Sequence, residues 1–358
     1  MDIVKLFEFA VSKNASDIVV AAGSPPLIRL AGEILPASES PLTHEEARQV
    51  VYSVMKEDQR ARFEQDWELD FSFSVPDVAR MRGNVFLQQR GLCAVFRVIP
   101  GQIPAPEELG LTQQMAELAD LPRGLVLVTG PTGSGKSTTL ASLVQSINRK
   151  YCKSIITIED PIEYVYQNRK SLVLQREVNR HTKSFAEALR RAMRQAPDVI
   201  LIGEMRDLET IQYAISAAET GHLCLATLHT QDCASTVDRM VDVFPTSQQQ
   251  QIRTQLALTL KAVLSQVLLP RADGTGRIAA REFMVMTTAI SSLIRENKAH
   301  MIYSALESGG KYGMTTLDKS LARLAASGVV TPETAQRKAH SPETVLQYVN
   351  QIKSGYPV

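Results

Sequence analysis

The feature that most limits what this chain can fold into is an eight-residue run, Gly130-Pro131-Thr132-Gly133-Ser134-Gly135-Lys136-Ser137, which matches G-x-x-x-x-G-K-[ST] at every fixed position. Such a loop functions only between a strand and a helix. Its glycines let backbone N–H groups close on a phosphate, and the helix that follows turns its positive end toward the same anion. Both flanks are present. Leu125-Val126-Leu127-Val128 reads as a buried parallel strand, and Thr138 continues into TTLASLVQSI with helical spacing. Thr132, Gly133, Ser134, Gly135, Lys136, Ser137 and Thr138 are therefore the expected ATP-binding residues. Lys136 brings a charge to the β- and γ-phosphates, and Ser137 offers a hydroxyl to Mg2+.

Three further segments fall at or near the ends of predicted strands, and ligands of open α/β sheets bind at the C-terminal ends. In SIITIEDPIEYV, an apolar run opens into Glu159-Asp160-Pro161-Ile162-Glu163. Three carboxylates within five residues repel one another, which points to a cation or a proton transfer. Glu163 is the candidate for orienting and deprotonating an attacking water. In DVILIGEMRD, Val199–Ile202 ends in Gly203-Glu204, where phosphate-loop proteins carry an acid that helps hold Mg2+. Glu204 is expected to meet the ion through water or to polarise the nucleophile. The helix before it reads with a Ser184/Glu187 capping box and a Phe185/Leu189/Met193 stripe, and Pro197 ends it. Arg190, Arg191 and Arg194 lie on its other sides, as a solvated face, as ion pairs, or as arginines that reach a nucleotide. In TGHLCLATLHT, His222 and His229 bracket another apolar strand and are expected to sense the γ-phosphate, bonding to the nucleotide or to Glu204.

Along the chain, residues 1–98 read as a small α/β domain of their own. The N-terminal MDIVKLFEFAVSKNASD carries Asp2, Lys5 and Glu8 among its apolar residues, the pattern of an amphipathic helix and not of a signal sequence. SDIVVAAG and PPLIRLAGEI follow as strands, then one helical stretch, THEEARQVVYSVMKEDQRARFEQD, capped by Thr43 with Glu46. LDFSFSV, ARMRGNVFLQQRG and CAVFRVI read as a strand meander. Residues 99–111, dense in Pro and Gly, form the expected linker and hinge. Residues 112–358 alternate strands (LVLV, SIITI, DVILI, LCLAT) with helices and end in a helical region.

The boxes GPTGSGKSTT, TIEDPIEY, GEMRD and GHLCLATLHT, in that order and spacing, resemble the nucleotide-site boxes of the secretion ATPases that drive type IV pili and type II secretion. With one small domain ahead of the motor and no four-cysteine motif, the chain is most similar to the pilus retraction ATPases, the PilT/PilU group. The segment AISSLIRE (289–296) departs from that group's AIRNLIRE at Ser291 and Ser292, and features of both branches are present. The resemblance implies a RecA-like P-loop motor domain with a mainly parallel sheet, preceded by a small PAS-like α/β domain. It further implies a cytoplasmic homo-hexamer at the inner face of the membrane, using ATP and Mg2+ to power pilus retraction and twitching motility. An inner-membrane platform protein, and for a PilU-like auxiliary a sister ATPase, would be its partners. Arginines of the small domain, Arg82 or Arg97, or of the motor domain, Arg190 or Arg194, would reach a neighbouring subunit's nucleotide. An assembly or secretion ATPase is the remaining alternative.

Composition limits the rivals. Lys and Arg total 39 against 38 Asp and Glu, and aromatics are 6% of the chain, so nothing favours nucleic acid as a partner. A small-molecule kinase should carry a lid and acceptor pocket, and no segment reads as either. A nucleotide-binding partner that modulates a sister ATPase without turning over itself is the closest rival. The scattered Cys93, Cys152, Cys224 and Cys233 suggest reduced thiols without zinc.

Overall fold

The computed structural model describes residues 2–30, 32–99 and 101–356. It separates into two compact units, one comprising residues up to Gln102 together with Pro161–Val165, the other Ile103–Asp160 together with the chain from Tyr166 onward.

In the first unit, helices α1 (Ile3–Ser12), α2 (His44–Tyr52) and α3 (Glu57–Asp66) accompany six strands, β1 (Asp17–Ala21), β2 (Leu27–Leu30), β3 (Glu33–Pro36), β4 (Glu68–Val75), β5 (Ala79–Gln88) and β6 (Gly91–Ile99). The strands form one antiparallel sheet in the order β3-β2-β1-β6-β5-β4. Its core is aromatic, with Phe7 edge-on to Phe96 at 5.2 Å and Phe71 stacked on Phe73 at 5.5 Å. Thr43 Oγ1 accepts from the Glu46 amide at 3.2 Å and the Glu46 carboxylate accepts from the Thr43 amide at 2.8 Å, so α2 starts with the expected reciprocal cap. Two details differ from the sequence reading. PPLIRLAGEI forms two strands that turn back at Gly32, with Ala31 outside the described residues. The single helical stretch is two helices, because Arg60 folds back and donates to the Tyr52 carbonyl at 2.7 Å, which satisfies the end of α2 and lets the chain bend.

The second unit is the expected mixed α/β domain with a mainly parallel sheet. Its strands are β7 (Gly124–Thr129), β8 (Ser154–Glu159), β9 (Leu172–Glu177), β10 (Val199–Ile202), β11 (Leu223–Leu228), β12 (Leu260–Pro270) and β13 (Arg277–Val285), in the order β13-β12-β7-β11-β10-β8-β9. All neighbours are parallel except the β12–β13 hairpin. Every residue of β7, β10 and β11 is buried, as a parallel strand covered on both faces requires. The helices are α4 (Gln113–Ala116), α5 (Lys136–Lys150), α6 (Phe185–Ala192), α7 (Leu208–Glu219), α8 (Cys233–Asp242), α9 (Thr246–Thr259), α10 (Thr288–Arg295), α11 (Ile302–Ser308), α12 (Leu317–Ala326), α13 (Pro332–Gln336) and α14 (Pro342–Lys353).

Strands β9, β12 and β13 are absent from the sequence reading. β12 continues α9 without a Gly or Pro between them, and periodicity alone cannot separate a buried helix end from a buried strand. Within the expected linker, Pro100 lies outside the described residues, Ile99 closes β6, and from Ile103 the chain belongs to the second unit. The buried Arg281 guanidinium donates to the carbonyls of Leu109 at 2.8 Å and Gly110 at 3.2 Å, which ties the end of that segment to β13. Burial lowers the Arg281 pKa to about 10, and the group keeps its charge at neutral pH.

Candidate functional site

β11 lies between β7 and β10, with Leu228 opposite Thr129 and Ala226 opposite Ile202. Three segments therefore leave the same edge of the sheet side by side: the phosphate loop after β7, His229 after β11, and Gly203-Glu204 after β10.

Gly130, Gly133 and Gly135 all have positive φ, at 138°, 78° and 87°. At Gly130 the requirement is also spatial, since a Cβ there would sit 2.2 Å from the Gln266 carbonyl. Gly135 is the N-cap of α5, which begins with Lys136 and Ser137. Lys136 is nearly buried, and its Nζ donates to the carbonyls of Gly130 at 2.8 Å and Pro131 at 3.1 Å. Thr132, Gly133 and Ser137 are exposed along the loop, while the Ser134 hydroxyl is buried with no hydrogen-bond partner among the described residues.

Glu204 is the charged centre beside this loop. Arg206 forks onto its carboxylate, with Nη2 2.7 Å from Oε2 and Nε on Oε1, and His229 Nε2 lies 2.9 Å from the same Oε1. Burial pushes the Glu204 pKa up, yet the guanidinium and the imidazole outweigh it, and the net shift is downward. Arg206 is the partner of Glu204 that the sequence reading did not single out. Its signal was its place two residues after Glu204, within the quoted box. Removing the guanidinium leaves burial less opposed, so the acid limb of the ATPase pH profile should move to higher pH in Arg206→Ala. A profile that stays in place would mean Glu204 need not be ionised for turnover.

His222 takes a different position from the one expected. It precedes β11, its main-chain carbonyl accepts from the Gly124 amide at the start of β7, and its Nδ1 lies 2.9 Å from the Ala217 carbonyl. That is the opposite end of the sheet, about 20 Å from the loop at the rise of an extended strand. Within one subunit it closes the C-terminal turn of α7 and does not face the phosphate loop.

The carboxylate cluster is also divided. Glu159 is buried and accepts from Thr157 Oγ1 at 2.6 Å and Gln175 Nε2 at 3.2 Å. Asp160 is the last residue of the second unit before the chain enters Pro161–Val165, so the half-buried Glu163 is packed with the first unit between buried Ile162 and Tyr164. Of the four arginines, Arg97 pairs with the buried Asp17 at 2.9 Å, Arg82 lies 3.8 Å from Asp70, and Arg190 pairs with Glu187 at 2.7 Å. Arg194 is exposed beyond the end of α6. The expected Ser184/Glu187 box is half formed: Ser184 Oγ accepts from the Glu187 amide at 3.1 Å, but the Glu187 carboxylate turns to Arg190 and Arg191, since two guanidinium charges outcompete a backbone N–H.

The residues fit a nucleotide with its metal ion. Exposed loop amides, the orphaned Ser134 hydroxyl and the Ser137 hydroxyl face phosphate chemistry, and the donors for a hard cation are oxygens. No group of three or more acidic, histidine or cysteine side chains among the described residues could hold a metal ion by itself. No described helix is long and apolar enough to cross a membrane.

A phosphate loop between a parallel strand and a helix, at the C-terminal edge of an open α/β sheet, defines the α/β class of P-loop nucleotide-binding proteins. The chain belongs to the Type II/IV secretion system protein family, whose profile matches residues 3–337. It is 50% identical over 343 residues to the Pseudomonas aeruginosa protein described as a type IV pilus retraction ATPase, PilT, covering 96% of this chain and 99% of that one. The type IV pilus ATPase PilU of the same organism is 40% identical across 95% of this chain and 89% of its own. The crystal structure of the pilus retraction motor PilT with bound ADP superposes with a TM-score of 0.89 at 45% identity, over 97% of this chain and 99% of that one.

Proposed function

We propose that this chain hydrolyses ATP to drive type IV pilus retraction, working as a homo-hexameric ring at the inner face of the cytoplasmic membrane on a platform protein there. The observation that carries the reading is similarity to a retraction ATPase across essentially the whole length of both chains. In this reading the loop amides and Lys136 hold the β- and γ-phosphates, and Glu163 orients and deprotonates the attacking water. Glu204 stays ionised through Arg206 and His229 and polarises that water, while His229 senses the γ-phosphate. Mg2+, held by Ser137 and through water by Glu204, would supply positive charge against the phosphates. Arg82, Arg97, Arg190 or Arg194 would act across subunits once freed from their present ion pairs, or directly in the case of Arg194.

A strain lacking this gene should carry excess, non-retracting surface pili when counted by electron microscopy, and complementation should restore the parental number. Bald cells would make this an assembly motor and overturn the direction of the proposal.

A second reading, an auxiliary ATPase that assists a sister motor, is favoured by one observation. In α10, Ser291 Oγ donates to the Ala257 carbonyl of α9 at 2.9 Å, and Ser292 Oγ accepts from Arg295 at 3.1 Å. An arginine at 291 would have to leave that helix–helix seat. Unchanged piliation in the deletion strain, with retraction lost only when a sister motor is weakened, would select this reading.

A further inference from the structure

β12, which the sequence reading did not see, lies against β7 on the side away from β11. Its Gln266 is almost wholly buried, and both ends of the side-chain amide are committed to the phosphate loop and its helix. Nε2 donates to the Ser134 carbonyl at 2.6 Å, and Oε1 accepts from Thr139 Oγ1 at 3.0 Å. Gly135 passes so close that a Cβ on it would meet Gln266 Nε2 at 3.2 Å.

The consequence follows from peptide geometry. The Ser134 carbonyl and the Gly135 N–H belong to one planar trans peptide and point in opposite directions. Holding that carbonyl toward β12 turns the Gly135 N–H the other way, into the cradle where a phosphate binds. The bond to Thr139 fixes the first turn of α5 to the same side chain, so loop and helix N-terminus are held as one rigid anion site. Only a side chain with one donor and one acceptor at its tip does both.

We propose that Gln266 is the positioning residue of the phosphate loop, acting on nucleotide affinity through the Ser134–Gly135 peptide. The inference rests on the reading of the loop as an ADP/ATP site. Loss of the two buried bonds should weaken ADP binding about tenfold in Gln266→Met. Because the Gly135 N–H, unlike the Lys136 charge, meets a phosphate in the ground and transition states alike, kcat at saturating ATP should change by less than about threefold while KM rises.

The glutamate variant separates orientation from packing. Gln266→Glu keeps the shape, but ionised it sets an acceptor against the Ser134 carbonyl, so ADP binding should be weaker than in Gln266→Met. Protonation restores a donor, and affinity in this variant, relative to the parent at the same pH, should recover as the pH is lowered. Thr139→Val, which removes one bond, should give an intermediate loss. ADP titrations on the full-length protein, by calorimetry and by ADP-induced rise in Tm, read all three variants. Should Gln266→Met fail to fold, Gln266→Glu and Thr139→Val report on the same pair of bonds. Parental affinity in the folded variants, or a Gln266→Glu loss with no recovery at lower pH, would overturn the proposal. Lys136→Ala in parallel separates the two levels, since parental ADP binding there would instead sink the phosphate-loop reading itself.

Discussion

Replacing Lys136 by alanine is expected to reduce ATP turnover to background, a loss of at least about 10²–10³-fold, and to remove the stabilisation that ADP gives the parent. The side chain stems from the first residue of α5, and its ammonium lies over the loop on the carbonyls of Gly130 and Pro131. That places a charge, already largely withdrawn from water, where phosphate oxygens must sit. In so sheltered a place its attraction to phosphate is screened less than at an exposed surface. Nothing else in the loop carries a positive charge, since its other members are Gly, Pro, Thr and Ser. Turnover measured by phosphate release, with ADP-dependent Tm alongside, checks the expectation. Parental turnover in a folded Lys136→Ala protein would place the chemistry elsewhere.

Glu163→Gln is expected to give the complementary signature. Turnover should fall about 10²–10⁴-fold, as for loss of a general base, while ADP binding stays near the parental value. Glutamine preserves the size of the side chain and its place between buried Ile162 and Tyr164, and removes only the ability to accept a proton. Undiminished turnover in Glu163→Gln would transfer the base role to Glu204, whose depressed pKa leaves it ionised at neutral pH.

Much of the nucleotide site was readable along the chain. The loop, its strand and its helix are consecutive, and the glycines are required by local φ and by close approach, so a short window of sequence contains the whole constraint. The reciprocal cap of α2 is similar, a donor–acceptor exchange between residues three apart. His222 was misplaced although its position in the chain held the clue, because a residue before a parallel strand cannot share an edge with one after it. Ser184 and Glu187 looked like a closed box until two arginines on the same helix drew the carboxylate away.

By itself, then, the sequence determined the phosphate loop, the buried strands on either side of it, the mixed α/β class and the family. These rest on spacing, periodicity and backbone chemistry within a few residues. Only the tertiary structure decided that Pro161–Val165, with Glu163, would belong to the first unit, and that Gln266, 132 residues on from Ser134, would hold the loop. Such meetings depend on strand order and register, which follow from burying apolar surface over a whole unit, and no local window of sequence contains that sum.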